Sequence, residues 1–227
     1  MDPLWTAEEF EERARAVLDE RYHHRHPFNM RMHDGVLSRE ELQDWVLNRY
    51  YYQRRVVEKD AVILARLPSR EHRRVWLSRI IDQDGRDGDQ GGLQDWVDLA
   101  EALGLSREEL ADDSRLAPGA RFAVDAYVHF CAVRTWQEAV AASLTQLYVP
   151  EIMRTRVEAL QRHYGVGTSG LRYHERHREV AERESVEALA LLHRGLRTRE
   201  DQERAIAAVR FKCDVLWSLL DAVDAVR

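Results

Sequence analysis

A helix-start signal recurs along this chain, and nothing that reads as a strand separates its copies. Thr6 is followed three residues later by Glu9, Ser38 by Glu41 and Ser106 by Glu109. At that spacing a hydroxyl and a carboxylate each satisfy a free N–H of a helix's first turn. No segment alternates apolar and polar residues between turn signals. The expected fold class is therefore all-α, a compact bundle of about seven or more helices joined by short loops. With 44% hydrophobic residues in 227 and no break in composition, residues 1–227 read as one domain.

Charge and apolar run length narrow the function classes. The formal charge is -6, and the arginines are interspersed with acids, so no basic surface for nucleic acid is expected. No apolar run approaches the roughly 18 residues that span a bilayer, and the first residues lack a signal-peptide pattern. These features predict a soluble, cytoplasmic protein. Cys131 and Cys213 stand alone in apolar helical contexts and are expected in the core.

A long helix runs from Ser38 to about Arg66, ahead of Pro68. Its middle carries Asn48-Arg49-Tyr50-Tyr51-Tyr52-Gln53. Arg49, Tyr52, Gln53 and Val56 share one stripe there, a set able to line a pocket. Otherwise the tyrosines are core residues with wet hydroxyls and Arg49 is a surface charge.

Before this helix, Thr6 to about Asp19 forms a first helix with Phe10, Ala14 and Val17 on one side. Tyr22-His23-His24-Arg25-His26-Pro27 follows. Glu20-x-x-His23 matches half of a di-iron carboxylate pattern, but no second Glu-x-x-His occurs, so no metal is expected. After Pro68 comes a helix with Val75, Trp76, Ile80 and Ile81 on its apolar side and Arg79 and Gln83 on neighbouring turns. The stretch from Gln83 to Gly92 fits neither an EF-hand nor a Walker loop and reads as a glycine-rich connection.

Leu93 to Leu103 is a short helix ending at Gly104. A second long helix is expected from about Gly119 to Leu147, with Phe122, Tyr127, Phe130, Trp136 and Leu144 as its apolar body. Pro150 starts a helix carrying Met153 and Arg156, and glycines at 165, 167 and 170 mark a loop. The next helix holds Tyr173, His174 and His177, the two histidines being either site residues or surface residues of a charged helix. The last, opened by Thr198, places Lys212 in an apolar run. A lysine there is paired, faces a ligand, or snorkels to water.

Taken together, Tyr22-His23, Asn48 to Gln53, Lys59-Asp60, Asp84-Gly85, Gly91-Gly92, Arg121 to Tyr127 and Phe211-Lys212 resemble the PqqC family, the pyrroloquinoline quinone synthases, over nearly the whole chain. The resemblance implies the helical bundle of haem oxygenases and thiaminase-like proteins, and a homodimer. It also implies ring closure and oxidation of a polycarboxylated precursor built from fused glutamate and tyrosine. Molecular oxygen is the co-substrate and no metal or redox cofactor takes part. An electron-rich substrate can itself reduce oxygen, so the protein supplies charge clamps and proton-handling groups.

By position the resemblance assigns Arg49, Arg79, Arg156 and Lys212 to the carboxylates, and Tyr22, Gln53, Tyr127 and Gln146 to the substrate pocket. It assigns His23, as a proton shuttle, with Gln83, Tyr173 and His177 to the chemistry. Some positions depart from the family pattern. Gln83 stands where a histidine is usual and Gln146 where a glutamate is. His177 takes an arginine's place, with Arg176 or Arg178 as neighbours able to substitute for it, and Val57 stands where a proline precedes Lys59-Asp60. An amide does not exchange protons near neutrality as imidazole does, so these changes predict altered chemistry. The alternatives are a paralogue oxidising another amino-acid- or peptide-derived aromatic, and a quinone-binding protein without turnover.

Overall fold

Each capping box opens a helix. In the computed structural model, which describes residues 3–226, Thr6, Ser38 and Ser106 accept from the N–H groups of Glu9, Glu41 and Glu109, whose carboxylates return to the cap N–H. The helices in chain order are α1 (Ala7–Arg21), α2 (Pro27–His33), α3 (Arg39–Arg66), α4 (Arg70–Asp84), α5 (Gly91–Ala102) and α6 (Arg107–Ala111). They continue with α7 (Pro118–Val133), α8 (Trp136–Ala141), α9 (Val149–Tyr164), α10 (Thr168–Gly195) and α11 (Arg199–Asp224). Short 3-10 turns occupy His23–Arg25, Asp113–Arg115 and Ala142–Tyr148. Among the described residues the only β feature is an isolated bridge between Arg86 and Asp89, and no helix is long and apolar enough to cross a membrane.

Two apolar clusters hold the bundle together. Phe10, Leu18, Trp76, Leu144, Leu192 and Leu216 belong to one, and Phe28, Trp45, Trp96, Leu160, Leu171 and Leu219 to the other. Tyr52, in the middle of α3, packs against both. Helix α3 lies against α7, α4, α5 and α11, and α10 lies against α9 and α5, so the tyrosine stretch sits where the clusters meet. Cys131 and Cys213 are free and buried, as expected.

Four local expectations are corrected. The helix expected from Gly119 to Leu147 breaks after Val133. There Thr135 and Glu138 form a further capping box that opens α8, and the chain tightens into a 3-10 turn from Ala142. Phe122, expected in its apolar body, is 78% exposed. Second, Gly170 is no loop residue: it lies inside α10, where a Cβ would stand 2.9 Å from the Cβ of Ala102 and 2.7 Å from Val166 Cγ1, so glycine permits close approach to α5. Third, α4 buries Trp76, Arg79 and Gln83, while Val75, Ile80 and Ile81 are only half-buried. The connection expected from Gln83 to Gly92 shrinks to Gly85–Gln90. It turns at Gly85 (φ 83°), where a Cβ would collide with the Asp89 carbonyl oxygen at 2.2 Å.

Candidate active site

The stripe on α3 faces a buried polar cavity. Arg49, Tyr52, Gln53 and Val56 all line it, joined from the same helix by Lys59 and Asp60. Arg79 and Gln83 enter from α4, Tyr127 from α7, and Ser143, Thr145 and Gln146 from the 3-10 turn before α9. Met153 and Arg156 come from α9, Tyr173, His177 and Glu184 from α10, and Lys212 from α11; Tyr22 and His23 close the wall at the end of α1.

The wall carries more cations than anions. Lys59 is paired with Asp60 at 2.6 Å, and Arg79 donates to the Glu184 carboxylate at 3.0 Å and to its backbone carbonyl at 2.6 Å. Arg49, Arg156 and Lys212 have no carboxylate partner among the described residues. Five cations against two carboxylates leave a formal surplus of three positive charges, 5 − 2, on the wall. Arg49 lies over the Tyr52 ring at 4.4 Å, with its Nε buried and unbonded. Lys212 donates to the Tyr52 hydroxyl at 2.8 Å and sits 3.7 Å from the Tyr127 ring centre. Arg156 donates through Nη2 to Asn29 at 3.0 Å, while its Nε and Nη1 are buried without partners. The reading of Arg49 as a surface charge is thus overturned, since it is 8% exposed.

Protonation follows from this crowding. Burial, reinforced by Arg49 and Lys59, holds Lys212 well below the ordinary lysine range. Burial and the Arg49 charge draw Arg156 down to about 9. His23 and His177 are pushed down by burial and then by nearby arginines, His177 to about 3. Burial raises the phenols of Tyr22, Tyr52, Tyr127 and Tyr173 and also lifts Asp60 despite its lysine partner. The cavity therefore presents neutral imidazoles and phenols among uncompensated cations, a donor-rich environment for an anion.

Elsewhere on the wall, the His177 ring stacks on Tyr173 at 5.0 Å and Tyr173 lies against Trp96 at 4.9 Å. Gln83 sits over Gly92 with its Oε1 buried and unbonded. Gln146 donates to Glu184 at 2.7 Å, on the oxygen that also receives Arg79. Arg176 turns outward to Asp89 and the Asp82 carbonyl, and Arg178 is exposed, so His177 alone of the three lines the cavity. His174 is completely buried beside Trp45, Trp96 and Tyr173, which overturns its reading as a surface residue, but it does not line the cavity. No three His, Cys, Asp or Glu side chains among the described residues gather as metal ligands.

Comparison with known proteins places this geometry. Residues 11–222 match the model of the TENA/THI-4/PQQC family. A Pseudomonas aeruginosa protein named pyrroloquinoline-quinone synthase is 47% identical over 214 residues, covering 94% of this chain and 86% of its own. The chain belongs to the TENA/THI-4/PQQC family. A Gluconobacter oxydans protein of the same name is 44% identical over 222 residues, 97% of this chain and 93% of its own. Two solved structures share the fold. One is a haem-oxygenase-like domain of unknown function from Shewanella denitrificans (TM-score 0.80, 15% identity, 97% of this chain and 93% of that one). The other is a TenA homologue from Pseudomonas syringae (TM-score 0.78, 15% identity, 100% and 98%).

Within this family member, every residue that the sequence assigned to substrate or chemistry reaches one cavity: Tyr22, His23, Arg49, Gln53, Arg79, Gln83, Tyr127, Gln146, Arg156, Tyr173, His177 and Lys212. Sequence reasoning missed Glu184, which neutralises Arg79, and Asn29, which joins His23 to Arg156. Glu184 lies in a charged stretch of α10, where one buried acid has no local mark. Asn29 carried a faint signal as an amide between Phe28 and Met30.

Proposed function

We propose that this cavity binds a polycarboxylated, amino-acid-derived aromatic and that the enzyme closes a ring on it and oxidises it with molecular oxygen, a reaction of the pyrroloquinoline-quinone synthase type without metal or redox cofactor. The observation that carries the reading is the set of three buried cations, Arg49, Arg156 and Lys212, that lack a carboxylate partner among the described residues. Each carboxylate of a ligand would supply what the protein withholds, and guanidinium grips carboxylate in a two-point fork. Gln53, Tyr22 and Tyr127 offer further polar contacts at the wall. The naming of relatives at 42–47% identity supports the same substrate class.

Each oxidation step removes two electrons and two protons from the ligand, and oxygen takes them up as hydrogen peroxide. The fixed positive field lowers the energy of the anions formed as the ligand loses protons. Gln83, Tyr173 and His177 line the part of the wall where oxygen would be handled. The enzyme is proposed to work in the cytoplasm as a homodimer, with no nucleic-acid or membrane partner.

A second reading, a quinone-binding protein without turnover, is favoured by one feature: Gln83 and Gln146 are amides, and Gln146 is committed to Glu184. Oxygen uptake by metal-free protein supplied with the fused glutamate–tyrosine precursor, with mass spectrometry of the product, separates the two. Repeated conversion with peroxide release establishes the oxidase. Tight binding with no oxygen consumed establishes the binder, and conversion only of a different carboxylated aromatic establishes a paralogue.

A further inference from the structure

Asn29, on α2, is completely buried and its side-chain amide is engaged at both ends. Its Nδ2 donates to the His23 backbone carbonyl at 2.7 Å and lies 3.0 Å from His23 Nδ1. Its Oδ1 accepts from Arg156 Nη2 at 3.0 Å. The amide has one orientation in this setting. Turned over, it would set its oxygen against the His23 carbonyl oxygen and its NH2 against the guanidinium, losing the bonds to both and keeping at most the one to the ring nitrogen. The NH2 is thus fixed toward the imidazole, and a ring nitrogen that faces a donor must be the one without a proton.

We infer that Asn29 is a positioning residue that holds the His23 ring proton on Nε2, so that His23 meets the ligand as a hydrogen-bond donor and not as a proton acceptor. This reverses the proton-shuttle role that the residue type and its resemblance imply. The ring's single basic lone pair, on Nδ1, is occupied by the Asn29 amide. A second proton is opposed from every side, first by burial and then by Arg49 on α3, Arg156 on α9, Lys212 on α11 and the neighbouring His24. Loss of the Nε2 proton would leave an imidazolate, far outside the reach of side chains at neutral pH. What remains is a neutral ring that donates at the cavity wall, suited to an oxygen that gains negative charge during reaction. Arg156 belongs to the same device: its Nη2 pins the amide while its Nε and Nη1 stay buried and unbonded in a residue that lines the cavity. The assignment rests on the cavity being the ligand site but not on which oxidation takes place there.

The test begins with ligand-free wild-type protein, 15N-labelled at histidine, with His23→Gln to assign the His23 signals. Two-bond 1H–15N correlation spectra should show the Nε2–H tautomer for His23, unchanged across the neutral range. A protonated Nδ1, or a ring that titrates there, overturns the inference. In Asn29→Asp the carboxylate can only accept, so the proton should move to Nδ1 and the ring should become easier to protonate. A folded Asn29→Asp protein that keeps the Nε2–H tautomer also overturns it, and the wild-type spectrum decides even where that variant fails to fold. With a turned-over substrate, Asn29→Asp should lower kcat by about 100-fold with KM little changed, as loss of one donor to a developing oxyanion does. If no substrate turns over, the proposed reaction fails while the spectra still decide the role of Asn29.

Discussion

Replacing Lys212 with methionine should make the folded protein more stable and its site weaker. Lys212 is 1% exposed and, among the described residues, makes one hydrogen bond, to Tyr52, and has no carboxylate partner. Replacing even a buried ion pair by apolar residues of similar volume is often neutral or stabilising by about 1–4 kcal/mol, and Lys212 has no pair attraction to lose. The lost bond to Tyr52 offsets about 1 kcal/mol of that. The net gain is then about 0–3 kcal/mol, a rise in melting temperature of up to about 10 °C for a chain of this size. Anion binding should move the other way. Removing one member of a buried charge pair in a complex costs about 2–5 kcal/mol, or about 30- to 4000-fold in affinity.

The pH dependence gives a second check on the same variant. Folding depresses the proton affinity of Lys212 from the ordinary 10.5, so between the depressed value and 10.5 the unfolded chain binds more protons than the folded one. Wild-type stability attributable to this residue therefore rises with pH across that interval and is lowest below it. The stability advantage of Lys212→Met should shrink as pH rises from 7 toward 10. Thermal denaturation and calorimetric titration with the polycarboxylate precursor measure both effects. A variant that melts well below wild type at pH 7 while binding the anion equally well would refute the argument, because Lys212 would then be structural.

Other outcomes follow from the same charges. Glu184→Leu strands Arg79 as a buried charge and should lower stability by about 3–5 kcal/mol; Arg79→Met with Glu184→Leu should recover most of the loss in a thermal double-mutant cycle. Binding a polycarboxylate should raise the depressed proton affinity of Lys212 back toward 10.5, so complex formation between those limits should be accompanied by proton uptake. Binding heats that are the same in buffers of low and high ionisation enthalpy would contradict this. Gly92→Ala places a Cβ 2.7 Å from Gln83 Oε1 and 3.4 Å from Tyr173 Cε2. The flexible Gln83 tip must shift, so turnover should fall by about 10–100-fold with a nearly normal melting curve; unchanged turnover would remove Gln83 from the working site.

What could be read from the sequence was what the chain encodes locally. Capping boxes act within four residues, so the starts of α1, α3 and α6 were legible. The stripe of Arg49, Tyr52, Gln53 and Val56 was legible because helical period alone brings those side chains to one face. The break between α7 and α8 was encoded too, by Thr135 and Glu138, but apolar residues continuing on both sides masked it. Long-range partners were not legible. Glu184 lies 105 residues from Arg79, and Asn29 lies 127 from Arg156; Glu184 carries no mark that tells it from an exposed acid, and Asn29 only its place between two apolar residues. Gly170 is glycine because of Ala102 on another helix, a constraint visible only after folding.

Arg49 shows why the tyrosine stretch lies at the centre of this molecule. Its charge acts on Tyr22, His23, Tyr52, Arg156, Tyr173, His177 and Lys212, contributed by the end of α1, the turn after it, and α3, α9, α10 and α11. It lowers the phenols, imidazoles and other cations alike, and the protein answers it with an aromatic face in place of an acid. A ligand carboxylate at Arg49 would therefore reset the protonation of several groups at once, which one anion at a wall of independent charges would not do. The energetic strain of that arrangement is borne by the apolar clusters on either side, which meet at Tyr52. The bundle can hold the surplus charge because the side chains that carry it project from long helices anchored in both clusters. Such an arrangement is ready for an anion before the anion arrives, so little reorganisation remains when the ligand develops charge.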